Sequence, residues 1–432
     1  MMNKEELKRR AFAAIDAHAQ ELMDFGQDIF CHPELGYKET RTAEKVLQAF
    51  AKLGISETTR PALTGVKGWL FQKGGPRVAV MGELDAVLSD QHPLADKCTG
   101  AAHACGHHAQ LSALLGCAFG LRAVEDALCG DVCLMATPAE ECVEIGWRSQ
   151  LLAEGKIQYL GGKQQMIAEG AFDDVDMAMM VHAESDAPQP RTIVSSASSC
   201  FVSKEVRFLG REAHAGGAPW DGVNALNAAT LAITAIHANR ETFRDQDQVR
   251  VHPILTKGGD LVNVVPAEVH MESYVRAANI DAMQAANAKV NRAIRGAAYA
   301  VGAQVEICDR AGYLPMEQNK ELSELFAANA ALIPGLAVER GLPFCGSTDV
   351  GDVSYLLPVI QPTVSGFSGP LHSRDFSVAD QALAYLVPAK LMCATVIDLL
   401  AEDGAQARRV MEQSPRRTKE DYQKLWNDLL SS

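Results

Sequence analysis

Residues 77–85 read RVAVMGELD, an apolar run from Val78 to Met81 that gives way to two acids, Glu83 and Asp85. A short run of this composition is the kind buried on both faces of a parallel sheet. Two other runs have the same form: residues 131–136 lead into Glu140 and Glu141, and residues 176–181 lead into His182. Helical periodicity separates them. Apolar residues recurring at three and four predict helices over 5–25, 40–53 and 110–124. This alternation predicts a layered α/β domain with a mostly parallel sheet. Open sheets of that type place ligands outside the carboxyl ends of their strands, so three strand ends deliver acids and an imidazole to one edge.

Between the first two strands lies His103-Ala104-Cys105-Gly106-His107-His108, three histidines and a thiol in six residues. Imidazole nitrogen and thiolate sulfur are the donors that hold zinc and its neighbours. Cys105 and His107 are two apart and, in an extended loop, project to the same side, within reach of one ion. Pro138-Ala139-Glu140-Glu141 adds adjacent carboxylates that point in different directions, suited to one metal ligand and one proton carrier. His182, after its apolar run, and His372, in a turn-like stretch after Ser368-Gly369-Pro370-Leu371, each carry a weak signal alone. Together these residues offer ligands enough for two ions.

The bulk properties narrow the class. The chain has 432 residues, 47% hydrophobic and 22% charged, enough for two or three domains at roughly 150 residues each. A net charge of −14 argues against a nucleic-acid partner, whose phosphates it would repel. The eleven cysteines are an odd, scattered set without CxxC pairs, which fits free thiols in a reducing cytoplasm rather than a disulfide framework. The charged N-terminal residues lack the apolar core of a secretory signal. The apolar stretch 382–400 is interrupted by Pro388, Lys390 and Asp398, so a buried helix is expected there and no membrane span.

From Ser195 onward the texture changes. Strands are expected over 202–208, 249–256, 268–275 and 304–308, with helices over 221–237 and 281–301. Strand-helix-strand-strand-helix-strand is the order of a ferredoxin-like sandwich. The chain then returns to α/β texture and ends in helices at 381–400 and 419–430. The expected organisation is one α/β catalytic domain, 1–194 and 313–432, interrupted by an inserted α+β domain at 195–312.

The ordered motifs GELDAV (82–87), HACGH (103–107), PAEE (138–141), DDVDMAMMVHAE (173–184), AHAGGAP (213–219), NVVP (263–266), GSTDVGDVSY (346–355) and PLH (370–372) resemble the di-metal aminoacylase and carboxypeptidase metallohydrolases. They look most like the amidohydrolase branch that includes hippurate, indole-acetyl-amino-acid and p-aminobenzoyl-glutamate hydrolases. The resemblance implies two divalent ions per subunit, zinc or manganese with cobalt or nickel as alternatives. Cys105, His107, Glu141, His182 and His372 would be the ligands, Glu140 the general base activating a metal-bound water, and Asp85 a support behind a ligand. His214 in the inserted domain would reach an active site, usually the partner subunit's, making a homodimer. Asn263 and Arg276 would hold the substrate, a small amide with a free carboxylate such as an N-acyl or aminobenzoyl amino acid or a dipeptide-like molecule. A dipeptidase or aminopeptidase of the same fold, and a non-catalytic metal-binding subunit, are the alternatives. Two departures stand out. His108 occupies a position where relatives generally carry Asp or Asn, and residues 142–165 are longer and more polar than the short glycine-rich link expected there.

Overall fold

The computed structural model describes residues 3–341, 346–414 and 416–431. They form two compact units. The described residues of Met1–Ala197, Glu317–Pro343 and Asp352–Tyr422 make the first, and those of Ser198–Met316, Phe344–Gly351 and Gln423–Ser432 the second.

The first unit is built on a six-stranded sheet. The apolar run at 77–81 extends to the strand Arg77–Glu83, which pairs in parallel with Asp131–Thr137 on one side and Met177–Met179 on the other. Val359–Ile360 continues the parallel order beyond Met177–Met179. Val66–Phe71 and Thr58–Thr59 close the opposite edge antiparallel. The buried interior of Asp131–Thr137 and nearly all of Arg77–Glu83 reflect helices packed over the sheet. Chief among them is His107–Arg122, which lies against Arg77–Glu83 and in turn against Val387–Leu400. The stretch Ala382–Leu400 is long and apolar enough to cross a membrane, yet 78% of its most apolar window is buried inside the protein, as befits a core helix.

Three local expectations differ from the structure. The helix expected over 5–25 is two helices, Lys4–Ala17 and Ala19–Phe30, parted at His18, whose ring stacks on Phe119 at 3.9 Å. The run 176–181 is a strand only over Met177–Met179. The chain then changes sheets, so His182 does not follow that strand but opens His182–Ser185, which pairs in parallel with Thr363–Ser368 in a second sheet. The helix expected from 221 begins at Ala225, because the Asn224 side chain accepts from the Leu226 and Asn227 amides and caps it there.

The second unit carries a four-stranded antiparallel sheet in the order Arg250–Lys257, Glu268–Ala277, Cys200–Leu209, Gln304–Ala311. Glu268–Ala277 alternates half-buried and buried residues along its whole length, the period-two pattern of a sheet with one face on a core. Helices Ala225–Ala238 and Ile280–Ala300 supply that core. With the expected strand-helix-strand-strand-helix-strand order, this is the ferredoxin-like insertion, and the mixed α/β architecture of the first unit surrounds it in sequence. The C-terminal segment from Gln423 also groups with this unit, where Leu429 packs on its core; the polar, amphipathic character of 419–430 gave no sign of which core it would join.

Candidate metal and amide-hydrolysis site

Parallel pairing sets Glu83 beside Thr137, so the carboxyl ends of the two central strands put Glu83 and Asp85 next to Glu140 and Glu141. The Glu141 amide donates to Asp85 Oδ2 at 2.9 Å, tying the two strand ends together. Gly106 lies between the two ligand candidates at φ +85°, and a Cβ there would stand 2.4 Å from Ala183 Cβ. Only glycine takes that left-handed turn so close to a neighbour at little cost. The turn puts Cys105 before the helix and His107 on its first residue. His372 is held by its amide, which donates to the Ala104 carbonyl at 2.8 Å.

These elements converge on Cys105. Its Sγ lies 3.4 Å from His182 Nε2 and 3.2 Å from His372 Nε2. His372 Nε2 is 3.0 Å from Glu141 Oε1. Donor atoms of Cys105, His107 and His182 lie within 4.8 Å of one another, as do those of Cys105, Glu141 and His372, and those of Glu83, His107 and Glu140. Nδ1 of His107 is 2.8 Å from the Asp85 carbonyl, and Nδ1 of His182 is 2.9 Å from the Ala183 carbonyl. A carbonyl accepts, so each Nδ1 carries a proton and both Nε2 atoms are turned inward, the orientation of metal-ligating histidines. His107 Nε2 is buried and makes no hydrogen bond.

The charge balance points the same way. Glu83, Asp85, Glu140, Glu141 and Cys105 are all buried. Burial alone would raise the Cys105 thiol, yet His182 and His107 hold it well below its ordinary value. Burial would lower His372, but Glu141 and Cys105 push it up to about 11. Burial likewise opposes a charge on His107, while Glu83 and Cys105 favour one so strongly that its value rises well above normal. Acids, thiolate and imidazoles so close together share protons that a metal ion can displace, and the donor set suits divalent metal ions.

The segment 142–165 supplies two buried cations behind this surface. It folds as the helix Ile145–Ala153 and the start of Gly162–Ala168. Arg148 donates to the Glu141 carbonyl at 2.6 Å and the Leu160 carbonyl at 2.7 Å. Lys163 reaches Glu83 at 2.6 Å, both side chains fully buried. A Cβ on Gly162 would fall 1.6 Å from the Pro138 carbonyl oxygen, so glycine permits the close approach that brings Lys163 in. Sequence reasoning set Glu83 at the functional edge without giving it a role, and passed over Lys163 and Arg148.

The extra imidazole of the sequence motif takes no part. His108 follows His107 on the helix and therefore faces elsewhere. It packs against Phe30 at 4.5 Å and Tyr385 at 5.8 Å between ring centroids, and burial, with His103 beside it, holds it well below its ordinary value. It is a neutral core residue. His103 is buried in the same place.

His214, Asn263 and Arg276 belong to the second unit. The Gly216 and Gly217 amides donate to His214 Nδ1 at 3.1 and 3.0 Å, which puts the ring proton on Nε2. The Ala215 amide donates to the Asn263 carbonyl at 3.0 Å, joining the two loops. The Arg276 guanidinium lies 5.4 Å from the ring centres of both Phe201 and Tyr274.

Residues 79–389 match the family model for Peptidase family M20/M25/M40. The chain belongs to that family. It is 30% identical to the Xaa-Arg dipeptidase of Mus musculus over 92% of this chain and 89% of that one. It is 27% identical to one of the p-aminobenzoyl-glutamate hydrolase subunits of Escherichia coli, over 93% of each chain. In fold it is similar to a dinuclear metal-binding peptidase of the M20 family from Bacillus subtilis, with a TM-score of 0.65, 21% identity, and coverage of 89% of this chain and 99% of that one. As a member of the M20/M25/M40 family with this donor set, the chain is a hydrolase of amide bonds.

Proposed function

We propose that the protein is a di-metal amidohydrolase cleaving the amide of an N-acyl (or aminobenzoyl) amino acid or dipeptide-like substrate that carries a free carboxylate. The convergence of three donor groups on Cys105 and His107 is the observation that carries this reading. Cys105, His107 and His182 would hold one ion, and Cys105, Glu141 and His372 the other. Thiolate, imidazole and carboxylate together suit zinc or manganese, with cobalt and nickel also accommodated. When bound, such ions act as Lewis acids that polarise the amide carbonyl and acidify water.

The chain's own residues do the rest. The Asp85 carbonyl accepts from Nδ1 of His107 and its Oδ2 accepts from the Glu141 amide, so this residue orients a ligand from each side. Glu140, with an oxygen 4.0 Å from His107 Nε2, would take the proton of the attacking water and return it to the leaving amine. His214, with its proton on Nε2, donates to the oxyanion of the tetrahedral intermediate. Asn263 and Arg276 hold the substrate, Arg276 pairing its planar fork with the carboxylate. We further infer a cytoplasmic homodimer in which His214 serves the partner's site. The ten described cysteines form no disulfide. The second unit's outer strand Arg250–Lys257 leaves Ile254 59% exposed, with Leu261 just beyond it at 64%, an edge that pairing would cover. Its substrate is a small molecule, with no nucleic-acid or membrane partner. The likeness to a dipeptidase favours dipeptides as the second substrate class.

The test is a hydrolysis panel on protein reconstituted with zinc, manganese, cobalt or nickel. It should contain N-acyl amino acids, aminobenzoyl-glutamate and free dipeptides, each with its carboxamide counterpart. Turnover of carboxylate-bearing amides and loss with the carboxamides is expected. Metal-loaded protein inert to the whole panel would favour a non-catalytic metal-binding subunit.

A further inference from the structure

Glu83 is the acid of the cluster that the motif-based ligand set leaves unassigned. It ends the strand Arg77–Glu83 and is fully buried. Its Oε1 accepts from Lys163 at 2.6 Å and its Oε2 from Gln110 Nε2 at 2.7 Å, while its amide donates back to Gln110 Oε1 at 3.1 Å. Two contacts therefore fix the carboxylate, and a third fixes its backbone. The same Oε2 lies 3.1 Å from Nε2 of His107.

That pair is buried, and without metal a proton on Nε2 satisfies it as an ion pair. A metal ion can take the place of that proton, because ligands bind metal in their deprotonated form. Metal–nitrogen and metal–oxygen bonds of about 2.0–2.2 Å put neighbouring donors about 2.8–3.6 Å apart on one ion, from octahedral to tetrahedral angles, and the observed separation falls in that range. An oxygen of Glu140 completes a group of three donors within 4.8 Å.

We propose that Glu83 is a sixth protein donor to the metal centre, binding the ion on the His107 side, with Lys163 as the buried counter-charge that keeps it aimed. This rests on the two-ion reading above. Lys163 is a positioning residue: it touches Glu83 rather than the ion. The two ion positions then differ in kind. One is served by a carboxylate locked by a lysine and a glutamine, the other by Glu141, whose oxygen meets the exposed His372.

Zinc is the probe. Wild type, Glu83→Gln and Lys163→Met are titrated with Zn2+ against a chromophoric chelator, with metal content measured by mass spectrometry and metal-free melting recorded alongside. Glu83→Gln keeps the shape of the side chain. It is expected to weaken one of two Zn2+ by about ten-fold or more and leave the other within about three-fold; Lys163→Met is expected to weaken the same ion by less. Glu83→Gln binding both Zn2+ as wild type does would overturn the proposal alone. Wild type binding no Zn2+ would overturn the two-ion reading, and this inference with it. A crystal structure of zinc-loaded wild type decides the matter without variants. A Glu83 oxygen within about 2.2 Å of an ion supports the proposal, and one beyond about 3 Å refutes it.

Discussion

The cluster around Cys105 and the loops carrying His214 and Asn263 are built in opposite ways. In the first unit every acid of the site is buried, and Glu83, Asp85 and Glu141 are each held by named partners. In the second unit His214 and Asn263 are exposed, and His214 is oriented by two glycine amides of its own loop. The first arrangement stores unfavourable charge that a bound cation relieves. On the proposed reading, the second presents donors whose work begins when a substrate arrives. Metal binding is then expected to depend on the first region alone, and turnover on both.

The largest expected effect tests the proton carrier. Glu140→Gln should retain both ions but lose about 10²–10⁴-fold in kcat, read by steady-state kinetics alongside metal analysis. Wild-type turnover in that variant would sink the assignment. Next, His214→Ala should lower kcat by about 10²–10³-fold while metal content and melting temperature stay at wild-type values. Loss of metal in His214→Ala would erase the distinction between the two regions.

The smallest effect concerns stability. Glu39 is fully buried, accepts from the Ala139 amide and Thr64, and is pushed up to about 7 by burial and by Asp85 beside it. An acid raised in the folded state binds its proton more tightly there than when unfolded. Stability from that proton is present below the ordinary value of 4.5 and is lost as pH rises toward about 7. Denaturant midpoints between pH 4.5 and 7 should therefore fall less steeply in Glu39→Gln than in wild type. Parallel slopes in the two proteins would contradict the assigned cause.

The parts of this design that sequence exposes are those set by local pattern. The apolar run at 77–81 with acids beyond it announced a buried strand and a functional edge, and the alternation after Ser195 announced the inserted sandwich. What stayed hidden depends on distant pairing. Lys163 finds Glu83 across 80 positions, and no local period encodes that. Arg148 looked like part of a polar insertion, yet it is fully buried against backbone carbonyls. His182 read as the end of one strand because its apolar run continues through Val181, while hydrogen bonding moves the chain to another sheet at that point. His108 looked like a candidate ligand from composition; the helical turn that carries His107 inward sends it into the core.

The central claim is a two-ion centre that shares Cys105, and metal stoichiometry tests it most directly. Wild type and Cys105→Ala, each reconstituted with Zn2+ and dialysed, would be analysed for bound metal per chain. Two ions in wild type and loss of both from Cys105→Ala, with no hydrolysis by the variant, is the predicted result. Two ions retained by Cys105→Ala, or a wild type that hydrolyses its substrate after complete chelation, would contradict the account.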